Sequence, residues 1–164
     1  MNEYNKPVRK VKNREFGEIL EKQGKLVLTA EGNSMLPCIR PRRDVLVLET
    51  VKESVRPFQV VLYRRKNGAY VLHRVMEVSD DSSYVLCGDN QWQKEYGVRE
   101  DQILGVLTGF YRGETFIECE TNDKYKRYVK RWCSPLFPRR CVVMGMRVVR
   151  KIRKWTQKSG ADNG

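Results

Sequence analysis

Hydrophobic positions along the chain change period twice. Behind Asn13, a capping residue, Phe16, Ile19 and Leu20 recur on one helical face and Gly24 follows, which predicts a short helix over 13–22. From Lys25 the spacing turns to short runs rich in Val, Leu, Ile, Tyr and Phe. These predict strands over 25–30, 45–49, 59–64, 70–78, 84–87, 103–112 and 115–118. Turn residues separate them: Lys66-Asn67-Gly68, the polar stretch 79–83, and Arg112-Gly113. Asn67-Gly68 between two such runs is a hairpin signal. After Thr121 helical spacing returns over 124–133, is broken by Ser134, Pro135 and Pro138, and resumes over 139–158. There Met144, Val148, Ile152 and Trp155 share one face and basic residues crowd the rest. The pattern predicts a mostly β, mainly antiparallel domain over 25–123. A helical segment over 1–24 precedes it and a basic helical extension over 124–164 follows it.

A chain of 164 residues holds one domain with short extensions and can bury a core without staples. Its longest run free of polar residues is 141–146, whereas a spanning helix needs about 18 or more apolar residues. The first 25 residues carry seven Lys/Arg, four Glu and no apolar run, so no secretory signal is read. The expected location is cytoplasmic, with a peripheral place at the inner membrane face open to it.

Charge sharpens the picture. Residues 1–123 hold 19 basic and 19 acidic residues, while 124–164 hold 13 basic residues and one acid, Asp162, so the extension carries the whole net charge of +12. A neutral body with a cationic end predicts an anionic partner for 124–164: a membrane surface ahead of nucleic acid or an acidic protein. Five cysteines without Cys-x-x-Cys spacing and a single histidine, His73, give no zinc signature; no metal or cofactor is expected and the thiols read as reduced.

Three segments carry candidate chemistry: Gly32-Asn33-Ser34-Met35-Leu36-Pro37, Val71-Leu72-His73-Arg74-Val75, and Gly88-Asp89-Asn90. Singly, each is an ordinary turn or strand. In this order, with 39 residues from Ser34 to His73 and 16 more to Asp89, they form a set. Over roughly 25–112 the sequence resembles the S24/S26 serine peptidases, in the signal peptidase I-like branch that pairs serine with histidine. The resemblance implies that family's mostly β peptidase fold. It puts the nucleophile at Ser34 within Ser-Met-x-Pro, the base at His73 within His-Arg-Val, and an acid at Asp89 within Gly-Asp-Asn. In that branch a second aspartate often follows six residues later; here that position is Glu95, and Asp89 ranks ahead of it. Phe58-Gln59 and Arg43-Asp44 stand where the family usually has Gly-Asp.

The chemistry asks for these residue types. A serine hydroxyl needs an adjacent base, an imidazole with a pKa near 6.5 can accept and return its proton, and a carboxylate fixes the tautomer. The Ser34 N–H is the expected first oxyanion donor, with Gly32 and Met35 completing the substrate loop. The resemblance thus implies a serine endopeptidase acting on an extended peptide or precursor segment. The competing expectation is a non-catalytic basic β-protein that binds an acidic partner or nucleic acid, on which Tyr125, Tyr128 and Trp132, set among basic residues, would stack.

Overall fold

A computed structural model describes residues 16–133. Helix α1 (Phe16–Gln23) leads into β1 (Lys25–Thr29), β2 (Asp44–Glu49), β3 (Val60–Arg64), β4 (Tyr70–Val78), β5 (Tyr84–Cys87), β6 (Glu95–Val98), β7 (Ile103–Arg112) and β8 (Thr115–Glu118). A 3-10 turn, Glu100–Gln102, precedes β7, and helix α2 (Asp123–Cys133) closes the described chain. The fold is mostly β and every strand pairing among the described residues is antiparallel. The start of the first helix and the helix read over 139–158 lie outside the described residues.

Strand order is β1-β2-β7-β3-β4-β5-β6, with β8 paired to β7. Strand β3 runs through the middle and is buried on both faces. Its alternation feeds two cores. Val60 and Leu62 join Phe16, Leu20, Leu46, Leu48 and Leu107, while Val61 and Tyr63 join Val75, Tyr84 and Leu86. The Asn67-Gly68 turn closes the β3–β4 hairpin with Gly68 at φ 83°, a left-handed angle that suits glycine. Register then sets Val61 opposite His73 and Val60 opposite Arg74. Neighbouring residues of β4 therefore point to opposite faces, His73 with Val61 and Arg74 with Val60.

One strand departs from the sequence reading. Strand β6 has only four residues, Glu95-Tyr96-Gly97-Val98, with Gly97 at φ 67°, and its pairing to β5 is irregular. Such a segment shows no apolar alternation, yet tertiary pairing makes it a strand.

Candidate active site

The serine loop lies between β1 and β2 and is pinned from below. Met35, Cys38 and Ile39 are buried in the core, and Ile39 N–H donates to Met35 O at 2.9 Å. Asp44 accepts from Arg40 N–H at 2.9 Å and from Arg112 Nη2 at 2.7 Å, while the same Arg112 nitrogen reaches Cys38 O. Ser34, at the top of this loop, stays half-buried. From across the sheet the Gly88-Asp89-Asn90 segment clamps it: Asn90 N–H donates to Ser34 O at 2.7 Å and Asn90 Nδ2 to Asn33 O at 3.1 Å.

Gly88 is the seat on which the site closes. A Cβ at that position would stand 2.7 Å from Ser34 O and 3.0 Å from both Ser34 Cβ and His73 Nε2. The serine and the histidine nitrogen thus face each other across one glycine, no further apart than twice that distance. Their side chains are not hydrogen-bonded to each other among the described residues, as is common before substrate tightens a site. Both line a cleft of about 770 Å³, together with Gly32 and Met35. A cavity of about 1200 Å³ between β7, β8 and α2 holds neither residue.

On the other side of the imidazole stands Glu95. Its Oε1 lies 3.1 Å from His73 Nδ1, and Tyr63 Oη lies 3.3 Å from the same nitrogen. Nδ1–H donating to Glu95 leaves the Nε2 lone pair turned toward Ser34. Burial pushes the His73 pKa down to about 4, against the pull of the Glu95 charge, so the ring is neutral near pH 7. Hydrogen bonds from Arg65 and Tyr63 hold the Glu95 carboxyl below its ordinary pKa, outweighing its partial burial.

Sequence ranks Asp89 ahead of Glu95, but it is Glu95 that stands beside the imidazole. Asp89 and Arg74 are both fully buried and make a two-pronged pair, Nε to Oδ1 at 2.9 Å and Nη2 to Oδ2 at 2.7 Å. Tyr128 Oη also donates to Asp89 Oδ2, at 2.9 Å, and Trp132 Nε1 donates to its backbone oxygen at 2.8 Å. Because Arg74 projects from the opposite face to His73, its carboxylate partner is drawn away from the imidazole. Asp89 fastens α2 and the Gly88 segment; Glu95 holds the histidine.

The same contacts revise the picture of α2. Tyr125, Tyr128 and Trp132 recur at helical spacing and turn inward, with Arg74 Nη1 donating to Tyr125 Oη at 3.2 Å. These side chains make hydrogen bonds within the protein: Tyr125 to Arg74, and Tyr128 and Trp132 to Asp89. Lys124, Lys126, Arg127, Lys130 and Arg131 remain exposed on the outer side.

Sequence reasoning missed Tyr63, Arg65 and the clamping role of Asn90. Tyr63 was signalled only by β3 alternation, which puts it with Val61 on the face of His73, and Arg65, just past the strand, carried no signal. Among the described residues no three His, Cys, Asp or Glu side chains gather to hold a metal ion, and no helix is long and apolar enough to cross a membrane. Compared with protein-family models, curated proteins and solved structures, the chain finds no match.

Proposed function

We propose that this protein is a serine endopeptidase in which Ser34 is the nucleophile, His73 the general base and Glu95 the carboxylate that orients the imidazole. One observation carries the reading. Residues far apart in sequence, Ser34 and His73, converge on Gly88 at the wall of one cleft, with a carboxylate on the far ring nitrogen. Ser34 Oγ attacks the peptide carbonyl as Nε2 takes its proton. The oxyanion collapses, Nε2 returns the proton to the leaving amine, and water frees the acyl group by the same route. The backbone N–H groups of Ser34 and Met35 make no hydrogen bond among the described residues, which suits them as oxyanion donors.

Substrate geometry follows from the sheet. Strand β1 ends the strand order, and Tyr70–His73 of β4 pair only with β3, because β5 joins β4 from Arg74 onward. Both open edges line the cleft, so an extended peptide can add a strand there. Leu28, Leu46, Leu62 and Leu72 on the walls favour small or apolar side chains near the cut. The cationic residues of 124–164 complete the proposal as a contact with an anionic surface.

The test is to incubate the protein and Ser34→Ala with a diverse peptide mixture and map new termini by mass spectrometry. Termini made by the wild type and absent with Ser34→Ala are expected. Identical terminus sets from both proteins would remove the peptidase reading.

A further inference from the structure

We propose that Arg65 is a positioning residue of this site, pinning Glu95 so that its carboxylate holds His73 in the tautomer whose Nε2 faces Ser34. The inference rests on the serine-peptidase reading for its catalytic consequence, but the tautomer itself can be read without any turnover.

The need for such a residue comes from where Glu95 sits. It starts a four-residue edge strand that is irregularly paired and contains a left-handed glycine, and its side chain is 27% exposed. A glutamate has three side-chain torsions, and freezing them costs conformational entropy. An aspartate buried in a core would be held by its surroundings. Glu95 has no such enclosure, so its orientation must be fixed by a partner.

Arg65 supplies that partner from the end of the central strand. It directly follows central strand β3, with its N–H bonded to Ala69 O at 2.8 Å in the β3–β4 turn. Its guanidinium grips both carboxylate oxygens, Nε to Oε2 at 2.8 Å and Nη2 to Oε1. A planar fork on a planar carboxylate sets the plane of the acceptor as well as its distance. The oxygen that takes Nη2 is the one lying against His73 Nδ1, so the clamp reaches the imidazole through a single shared atom.

The charges around the ring are consistent with this division of labour. Tyr63 faces it from β3, Arg65 from the turn after β3 and Glu95 from β6, while Asp89 acts on it from the β5–β6 link and is itself neutralised by Arg74 of β4. Arg65 lowers the proton affinity of His73 and Glu95 raises it. A paired Glu95 therefore orients the ring with less tendency to protonate it than a lone carboxylate would have.

His73 is the only histidine, so protein labelled with 15N-histidine shows one imidazole. At pH 7 the wild type should show a protonated Nδ1 and an unprotonated Nε2. Arg65→Ala should give a mixture of the two tautomers, and Arg65→Lys, which keeps the charge without the fork, should lie between. On a peptide cleaved by the wild type, Arg65→Ala should lower kcat roughly tenfold or more with little change in KM. A wild type with the proton on Nε2, or a folded Arg65→Ala that keeps the wild-type tautomer, overturns the proposal. So does a loss confined to KM, which would make Arg65 a substrate contact. If Arg65→Ala does not fold, Arg65→Lys and the wild-type spectrum decide alone. If the wild type cleaves nothing, the peptidase reading falls while the tautomer still decides the role of Arg65.

Discussion

Burial keeps the His73 imidazole neutral, and in the proposed peptidase, where it is the base, that sets how activity must respond to acid. An ordinary imidazole titrates near 6.5, which from sequence alone predicts activity rising across pH ~6–7. Burial lowers the His73 pKa to about 4, Glu95 opposes this, and Arg65 adds to the lowering. The base works when unprotonated, so rate is lost only as pH falls through the folded pKa. The acid limb of kcat/KM for peptide cleavage should therefore have its midpoint nearer pH 4 than 6.5, with nearly full activity at pH 6. A midpoint at or above 6.5 in a pH–rate profile would contradict the buried, neutral ring. Gly88 offers a second expectation. A methyl group there would press on Ser34 O, Ser34 Cβ and His73 Nε2 together, and two of these belong to the tightly clamped serine loop. A displacement of about 1 Å between nucleophile and base can cost on the order of 10²-fold in rate. Steady-state kinetics of Gly88→Ala should show a loss of that order, with urea unfolding confirming a folded protein.

Among the elements, β6 and α2 divide the two carboxylates between separate tasks. Asp89 is locked with Arg74 at zero exposure and ties α2 to the sheet through Tyr128 and Trp132. Removing one partner of a buried pair leaves an uncompensated charge and costs about 3–5 kcal/mol. Glu95 pairs with Arg65 where both are partly exposed, a setting in which pairing contributes roughly 0–1 kcal/mol. Urea unfolding should then separate the variants: Asp89→Asn loses several kcal/mol of stability, whereas Glu95→Gln loses little and is impaired in cleavage. The reverse pattern would return the orienting role to Asp89. Much of this scaffold was legible in the chain. Val, Leu and Tyr alternation gave seven of the strands, and Asn67-Gly68 gave the hairpin that carries His73. The carboxylate beside His73 was less legible, because Gly-Asp-Asn is a contiguous motif and Glu95 sits in a strand with no hydrophobic period. Reading β4 as a strand does imply that His73 and Arg74 face opposite ways, and a buried arginine needs an acid of its own. The aromatics of α2 were visible as a helical stripe, but a stripe does not say whether protein or nucleic acid covers it.

Across the whole molecule, the charge divides where the sheet ends. Residues 1–123 are neutral and 124–164 carry the net +12. The inward stripe of α2 forces the cations of that helix outward, so Lys124, Lys126, Arg127, Lys130 and Arg131 form an exposed row with Asp123 the one acid on the helix. Each basic residue near an anionic bilayer contributes about 1 kcal/mol, and the row alone gives appreciable attraction before the basic residues beyond 133 are added. Nucleic acid could meet the same charges, but the rings it would stack on are hydrogen-bonded to Arg74 and Asp89. The full chain should therefore sediment with vesicles rich in phosphatidylglycerol and not with neutral phosphatidylcholine vesicles, and the bound fraction should fall as salt rises from about 0.05 to 0.5 M, because screening shortens the reach of the charges. Removing residues 139–164 should weaken the binding strongly, and replacing Lys124, Arg127 and Arg131 by Glu should weaken it further. Equal binding to neutral and anionic vesicles, or binding that ignores salt, would mean that charge is not what brings this protein to a surface.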